Sequence, residues 1–278
     1  MAQPCTVITE ENAELLAHAL AHIFGADADA PQFCVALDIE GVDLGRTGSM
    51  EIVSINVPVD ADGERQTFLL DVQNADAAAP HVQLLQELAT HPNCKTVIHD
   101  CRQDCDAMRH LWGFVPADIH DTSEAHRILT GQENKNLNDT LTANGLATNV
   151  HRMRVNYQAN PSFWAQRPLT QNMLEHAAGD VHLLPRLFAL QAEAAPHENA
   201  YTEASRRYAG ALADLECEWL PCRKSMGAFI GPKGRNVRAT EKRTGCYFYG
   251  NGSERERKTG FLVYYPRGRR HVAVQALS

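Results

Sequence analysis

The sequence predicts an α/β protein with a mixed sheet covered by helices, followed by a second, smaller α+β domain. Three strand-like runs lie close together between residues 33 and 71, which is typical of an antiparallel meander. Strand-like and helix-like segments then alternate, and helices dominate up to about residue 195. Residues 1–200 hold 11 Lys and Arg against 27 Asp and Glu, whereas residues 201–278 hold 15 against 7. This change of charge indicates a domain boundary near residue 200.

The elements of the first domain follow in chain order. Thr9 can cap a helix over ENAELLAHALAHI, which Gly25 closes before the apolar strand FCVALDIE. The strands MEIVSINVPV and RQTFLLDV complete the meander. The helix-like PHVQLLQELATH leads into the strand KTVIHD and the helix-like CDAMRHLWG. TSEAHRIL, LNDTLTAN and residues 170–195 are helical by the same periodicity.

The composition is that of a soluble globular protein: 278 residues, 44% hydrophobic and 22% charged, with a net charge of −8. No apolar run reaches membrane-spanning length, and the N-terminus lacks the basic and apolar regions of a secretory leader. We therefore expect an intracellular protein, cytoplasmic or nuclear, without a membrane partner. The eight cysteines form no C-x-x-C pair, so we expect free thiols rather than disulfides or a zinc site.

Two carboxylates stand at the end of the first long strand. Asp38 and Glu40 are two residues apart, so their side chains share one face of the strand. Burial of two like charges is unfavourable unless a cation neutralises them, and a divalent metal is the usual one. Alternatively, the strand has ended and both groups are solvated. This stretch alone leaves both interpretations open.

Two further segments place an acid beside a core element. Asp104 lies in the first turn of a helix, where the helix dipole favours a negative charge and a capping role is the simplest interpretation. Asp100 and Asp106 are neighbouring candidates. His176 and Asp180 are four residues apart on the apolar face of a late helix, which is also the pattern of a structural core pair. Neither segment by itself shows whether its residues have a structural role or a catalytic one.

The motifs DIE, VIHDCRQD and HAAGD follow in order the three motifs of the DEDD superfamily of 3′-5′ exonucleases. DTSEAHRIL, KNLNDTL and FWAQRPLTQNMLEHAAGDV resemble the RNase D branch, and VIHDCR is similar to Egalitarian-type exonuclease-domain proteins. The resemblance covers residues 5–195. It implies an RNase H-like fold, with a five-stranded mixed sheet and flanking helices, and it assigns the family's acids to Asp38, Glu40, Asp104 and Asp180.

The resemblance also implies a two-metal mechanism. Two divalent cations, Mg²⁺ or Mn²⁺, would lie about 3.5 to 4 Å apart against the scissile phosphate. Asp38 would bridge both, Glu40 and Asp180 would complete one site, and Asp104 would support the other. These four acids are the expected metal ligands, and together with His176 they form the expected catalytic set.

Position 176 departs from the family pattern. One branch has a tyrosine four residues before the last Asp, and the other has a histidine five residues before it. This chain has histidine at the tyrosine spacing. Because residues i and i+4 share a helix face, His176 is expected to take the tyrosine's place. Imidazole can accept a proton or a hydrogen bond from water, so we expect activity to persist.

The basic C-terminal segment has the order strand EWLPC, helix, loop, helix, strands CYFYG and FLVYYP, and a closing helix in GRRHVAVQALS. This order, with the loop GPKG between the first two helices, resembles a KH domain, a module that binds about four single-stranded nucleotides. We predict a KH-type domain over residues 214–278 and a linker at residues 196–213. The resemblance assigns RNA binding to the G-x-x-G loop and its flanks, namely Ile230, Gly231, Pro232, Lys233, Gly234, Arg235 and Arg238. The alternative is an ordinary solvated basic face.

These expectations combine into one function and two alternatives. The first is a metal-dependent 3′-5′ exoribonuclease that releases nucleotides from single-stranded RNA, with the KH-type domain capturing the RNA. The second is an RNA-binding adaptor of the Egalitarian kind, with weak or no catalysis. The third, placed behind both, is a DNA exonuclease. The sequence leaves the protein partners open.

Overall fold

The computed structural model describes residues 4–25, 32–60, 63–132, 136–157, 159–197, 200–250 and 259–278. The chain divides into two compact units. The first runs through Arg154 and resumes over Trp164–Gly210, and the second combines Val155–Phe163 with Ala211–Ser278. No helix in the described ranges has the length and apolar character that crossing a membrane requires. All eight cysteines are free thiols, as expected.

A six-stranded mixed sheet forms the centre of the first unit. Its strands are β1 (Cys5–Ile8), β2 (Phe33–Val42), β3 (Ser49–Pro58), β4 (Arg65–Asp71), β5 (Cys94–Ile98) and β6 (Ile119–Asp121), in the order β1-β4-β3-β2-β5-β6. β2, β3 and β4 form the antiparallel meander. β1 runs parallel to β4, while β5 and β6 continue parallel to β2. The mixed α/β class is confirmed, with one strand more than the five that the resemblance implied.

Helices flank this sheet. They are α1 (Ala13–Phe24), α2 (Pro80–Thr90), α3 (Arg102–Ala107), α4 (Thr122–Thr130), α5 (Leu137–Ala143), α6 (Gln171–His182), α7 (Leu184–Glu193) and α8 (Thr202–Ala209). The caps follow from local chemistry. Asp121 begins α4 by accepting the backbone N–H groups of Ser123 and Glu124, each at 2.9 Å, and Gly131 ends it in the left-handed conformation.

The alternation of β2 decides where the two acids lie. Val35 and Leu37 are buried in the main core cluster, which also contains residues of α1 and α2. Ala36 belongs to a second cluster with residues of α5, α6 and α7. Because successive side chains of a strand point to opposite faces, Asp38 and Glu40 share the face of Ala36. That face is the one covered by α6.

The segment predicted as a linker, residues 196–213, contains α8. Ala204, Ser205 and Ala209 of this helix are buried. Oγ of Ser205 accepts a hydrogen bond from the backbone N–H of Asp121 at 2.9 Å. This contact fastens α8 to the end of β6, so the packed first unit reaches Gly210, beyond the predicted residue 195.

The second unit contains a three-stranded antiparallel sheet in the order β7-β9-β8. Its elements are β7 (Glu216–Pro221), α9 (Met226–Ile230), α10 (Arg235–Thr244), β8 (Tyr247–Tyr249), β9 (Gly260–Tyr265) and α11 (Arg270–Leu277). An aromatic group forms the core, because the Phe229 ring centroid lies 5.0 Å from those of both Phe248 and Phe261. The order of elements is strand, helix, helix, strand, strand, helix.

Candidate active site

Asp38 and Glu40 lie in β2 where its pairing with β3 changes. The antiparallel register is regular through Glu40 and shifts between Glu40 and Gly41. A Cβ at Gly41 would lie 2.2 Å from the carbonyl oxygen of Ser49, so only glycine permits this approach of the two strands. The bulge therefore begins directly after the second acid.

Asp104 lies in the first turn of α3, and its side chain contacts the backbone of β2 between the two acids. Its Oδ1 accepts the backbone N–H of Ile39, the residue between Asp38 and Glu40, at 3.1 Å. The side chain is buried. This contact between residues 65 positions apart brings a third carboxylate from a different element to the end of β2.

The neighbouring acids Asp100 and Asp106 have other partners. Oδ1 of the buried Asp106 pairs with Nη2 of Arg46 at 2.6 Å, and its Oδ2 accepts the backbone N–H of Arg46 at 2.9 Å. The hydroxyl of Tyr208 donates to Oδ1 of Asp100 at 2.5 Å. The structure thus distinguishes Asp104 from the two acids beside it in the sequence.

His176 and Asp180 lie one turn apart on α6, and both are buried. Thr170 begins this helix by accepting the backbone N–H of Met173 at 3.4 Å. Nε2 of His176 lies 3.4 Å from Oδ2 of Asp180 and 3.7 Å from Oε1 of Glu40. The imidazole therefore bridges the acid of α6 and the second acid of β2.

Trp164 and Met153 hold the His176 ring in place. The ring centroid of the buried Trp164 lies 5.4 Å from that of His176 in a T-shaped arrangement. The backbone N–H of Met153 donates to Nδ1 of His176 at 3.2 Å. Because Nδ1 is the acceptor, the neutral ring carries its proton on Nε2. Nε2 therefore faces the carboxylates as an N–H donor.

Residues 149–153 lie along α6, although the sequence motifs do not include them. Nδ2 of Asn149 donates to Oδ1 of Asp180, and Nη1 of Arg152 donates to Oδ2 of Asp180, each at 2.8 Å. Gly179 allows this approach, since a Cβ there would lie 2.4 Å from Oδ1 of Asn149. The segment has no helical or strand periodicity, so no sequence signal marked these contacts.

Three of the acids are difficult to ionise. Burial, followed by the charge of Asp180, raises the pKa of Asp38 to about 7. Burial and the charges of Asp38 and Asp180 raise the pKa of Glu40 well above its ordinary value. Burial and the charge of Asp38 do the same to the pKa of Asp104. A cation among these groups would therefore stabilise their charged forms.

Asp180 behaves in the opposite way. Burial opposes its ionisation, but the hydrogen bonds from His176 and Asn149 and the charge of Arg152 hold the pKa of Asp180 below its ordinary value. Donors supplied by the chain thus stabilise this carboxylate. The site thus combines one acid whose pKa is lowered with three whose pKa values stay raised, because the donors and positive charges of the chain do not outweigh burial and repulsion there.

The donor set suits a hard divalent cation. Glu40, His176 and Asp180 each bring a ligand atom within 4.8 Å of the others. Asp38 and Asp104 add oxygen donors whose charges act on Glu40. Mg²⁺ and Mn²⁺ prefer carboxylate oxygens, which the four acids supply, whereas the neutral His176 ring is a donor at Nε2 and not a ligand. The residues present therefore fit the cations that the sequence predicts.

The G-x-x-G loop of the second unit is a separate candidate interface. Gly231 and Gly234 have positive φ angles of 71° and 73°. A Cβ at Gly231 would lie 2.5 Å from the Asn236 side chain, and one at Gly234 would lie 2.8 Å from that of Arg238. The positive φ angles favour glycine at both ends of the loop, and at Gly231 the Asn236 side chain also leaves little space for a Cβ.

The predicted RNA-binding residues flank this loop. Pro232 and Arg235 are exposed, Arg238 is half-buried, and Ile230 is 36% exposed. The side chain of Lys233 lies outside the described part of the chain. α10 begins at Arg235, so its N-terminus opens directly at the loop. The two glycines of the loop thus lie next to a basic helix.

Several known proteins are similar to this chain. Ribonuclease D of Nitrobacter hamburgensis is 30% identical over 116 residues, which cover 41% of this chain and 29% of that protein. The chain spans 26% to 35% of the length of the curated relatives that it matches. The crystal structure of Trypanosoma brucei RNase D has a TM-score of 0.58 and 20% identity, covering 74% of this chain and 72% of that one. Brucella melitensis NrnC with bound Mg²⁺ has a TM-score of 0.52 and 19% identity, covering 76% and 90%.

The two solved structures show the same fold. The family described as 3′-5′ exonuclease matches residues 8–191. This range is more than half of the chain and includes all the acids that meet His176 at the end of β2. On this match and this geometry, the chain belongs to the 3′-5′ exonuclease family.

Proposed function

We propose that this protein is a metal-dependent 3′-5′ exoribonuclease whose first unit hydrolyses RNA and whose second unit captures it. The observation that carries the proposal is the meeting of acids from β2, α3 and α6, with His176 between Glu40 and Asp180. Family membership supports exonuclease chemistry, and the relatives named ribonuclease D support RNA as the substrate.

Two divalent cations, Mg²⁺ or Mn²⁺, would be held by Asp38, Glu40, Asp104 and Asp180. When bound, the cations lower the pKa of the attacking water and stabilise the leaving oxygen. The chain itself supplies the carboxylates that attract the cations, and its hydrogen bonds fix where these carboxylates lie. The hydrogen bond from Ile39 holds α3 against β2, and the imidazole holds α6 near Glu40. Presence of Mg²⁺ in the structure of NrnC is consistent with this assignment.

We assign His176 the role of a hydrogen-bond donor. Because Met153 occupies Nδ1, the proton of the neutral ring is on Nε2, which points toward Glu40 and Asp180. A tyrosine at this position would also present a donor, namely its hydroxyl. The expected role as proton acceptor is therefore replaced by a role in orienting water or phosphate oxygen.

For the second unit we propose a KH-type fold that binds single-stranded RNA. The order of elements, the antiparallel sheet and the glycine loop between α9 and α10 support this assignment. The two loop glycines permit close approach of a phosphate backbone, and the exposed Arg235, Lys242 and Arg243 add positive charge along α10. Net positive charge after residue 200 contrasts with the acidic charge before it, and RNA would be attracted to the basic part.

Cleavage of labelled RNA tests the catalytic proposal. End-labelled single-stranded RNA and DNA are incubated with the protein in Mg²⁺, Mn²⁺ or chelator. We expect RNA to shorten from its 3′ end in a metal-dependent manner. Combined Asp38→Ala and Glu40→Ala should abolish cleavage while RNA binding persists. Equal cleavage by the double variant would refute the site, and intact label with tight binding in every metal would favour the adaptor.

A loop variant tests the capture proposal. Pro232→Asp with Lys233→Asp places two negative charges at the loop and should weaken RNA binding, because the phosphate backbone is repelled. The matched control is Arg267→Asp with Gln275→Asp, which changes the net charge equally at exposed positions of the same unit. Equal weakening by both pairs would show a general charge effect and remove the assignment of the loop.

A further inference from the structure

Both carboxylate oxygens of Asp180 are occupied by side chains of the chain itself. Oδ1 accepts from Asn149 and Oδ2 accepts from Arg152, each at 2.8 Å. Nε2 of His176 lies a further 3.4 Å from Oδ2. Because the same Nε2 lies 3.7 Å from Oε1 of Glu40, Oδ2 is the Asp180 oxygen on the Glu40 side of the site, and Arg152 places a cation there.

The two donors differ in how firmly they are held. Asn149 is buried, its Nδ2 also donates to the carbonyl oxygen of His176 at 2.9 Å, and its Oδ1 accepts the N–H of His151 at 2.9 Å. Contact with Gly179 encloses it further. The side chain of Arg152 is 40% exposed. It can leave Asp180 for solvent at little desolvation cost, whereas Asn149 cannot.

We propose that Arg152 is an exchangeable internal counter-ion of Asp180 that a divalent cation must displace, and that it thereby sets the metal affinity of the site. The inference rests on the metal site of the proposed function. Two cations in contact with one oxygen repel each other, so binding of metal through Oδ2 requires the guanidinium to move away. Asn149 remains on Oδ1 and keeps the carboxylate oriented. Metal binding is therefore an exchange of one cation for another.

The exchange predicts tighter metal binding when the competitor is removed. A partly exposed ion pair contributes less than a buried one because water screens it. Each factor of ten in affinity corresponds to 1.4 kcal/mol. We therefore expect Arg152→Gln to bind Mn²⁺ about threefold to tenfold more tightly than the wild type. Arg152→Lys, which keeps the charge, should remain closer to the wild type.

Calorimetric titration of the metal-free, 278-residue protein with Mn²⁺, without RNA, measures this affinity directly. The matched control is Arg154→Gln, which removes the same charge from an exposed arginine two residues further along. Asp180→Asn removes the charge of the proposed ligand, so the heat of Mn²⁺ binding that this variant loses is the heat of binding at this site. Urea unfolding and circular dichroism verify that each variant is folded, and Arg152→Ala provides a second removal of the guanidinium.

The titrations separate the possible results. Tighter Mn²⁺ binding by Arg152→Gln and Arg152→Ala than by Arg154→Gln supports the exchange. Equal affinity of the wild type and both Arg152 variants overturns it while leaving the metal site intact. An equal increase of Mn²⁺ affinity in the variants of Arg152 and Arg154 also overturns the exchange, because loss of any nearby positive charge would then explain the increase. Absence of Mn²⁺ binding to every variant refutes both the metal site of the proposed function and the exchange that depends on it.

Discussion

Replacement of Asp38 by asparagine is expected to stabilise the metal-free protein at neutral and alkaline pH. Burial and the charge of Asp180 raise the pKa of this carboxyl group from 3.8 to about 7. A group whose pKa is raised on folding favours the folded state in its protonated form. The contribution of the protonated Asp38 to the free energy of unfolding is therefore fully present below about pH 4, and it is lost as the pH rises through 7. Asparagine has nearly the same shape but does not ionise, so the variant escapes this loss.

The magnitude follows from the two pKa values. Since one pKa unit corresponds to 1.36 kcal/mol, a rise from 3.8 to about 7 costs about 4 kcal/mol above pH 7. The Asp38 side chain is only partly buried, so solvent screening reduces this figure. We expect Asp38→Asn to be more stable than the wild type by about 2 to 4 kcal/mol at pH 8 in chelator. The two proteins should be equally stable near pH 4.

Urea unfolding in chelator at pH 4, 6 and 8 measures the difference. Asp214→Asn, the same change at an exposed aspartate of the second unit, should alter stability by less than about 0.5 kcal/mol at each pH. Saturating Mg²⁺ should stabilise the wild type more than Asp38→Asn, because the variant has lost a charged ligand. A stability difference that does not change between pH 4 and 8 would refute the reasoning.

Three further substitutions have expected outcomes. Arg46→Ala should destabilise the protein by about 3 kcal/mol in urea, because it removes the guanidinium that pairs with the buried carboxylate of Asp106. Gly179→Ala should displace Asn149 and lower stability by about 1.5 to 3 kcal/mol, the usual contribution of a hydrogen bond to a charged group. His176→Ala should slow RNA cleavage by roughly a hundredfold or more, the usual cost of removing one positioned donor, whereas His176→Tyr should retain substantial activity because it also offers a donor.

Each of these substitutions has a contradicting result. A free energy of unfolding of Arg46→Ala equal to that of the wild type would contradict the pairing argument, and Arg46→Lys, which keeps the charge but not the planar fork, separates charge from geometry. An unfolding curve of Gly179→Ala that coincides with the wild type would show that the asparagine can move without loss. Wild-type cleavage by His176→Ala would make the histidine a packing residue.

Local patterns account for the part of the fold that was predicted. The strands β2, β3 and β4 are seven to ten residues long, apolar and separated by turns, so their pattern is visible in the sequence. β1 has four residues and β6 has three, which is too short for any periodicity to be recognised. These two strands add the edges of the sheet and depend on their neighbours for hydrogen bonds.

The helix α8 was missed for a different physical reason. Its buried residues are Ala204, Ser205 and Ala209, all small, and apart from the half-buried Tyr208 the rest of the helix is polar. A face of small residues allows close packing but gives no hydrophobic pattern, so the segment has the composition of a linker. The contact of Ser205 with Asp121 spans 84 positions and is not expressed in local sequence at all.

The same limit applies within the site, and it explains why the acids differ. The motifs predict the carboxylates because each stands beside a regular element. The donors at Asp180 come from an irregular segment 28 and 31 positions away, where neither Arg152 nor Asn149 is marked by periodicity. Their effect is nevertheless decisive, because Asp180 is stabilised as an anion while the pKa of Asp38 is raised. The folded chain therefore stabilises the Asp180 carboxylate of α6 with its own donors, whereas ionisation of Asp38 and Glu40 on β2 depends on a cation from solution.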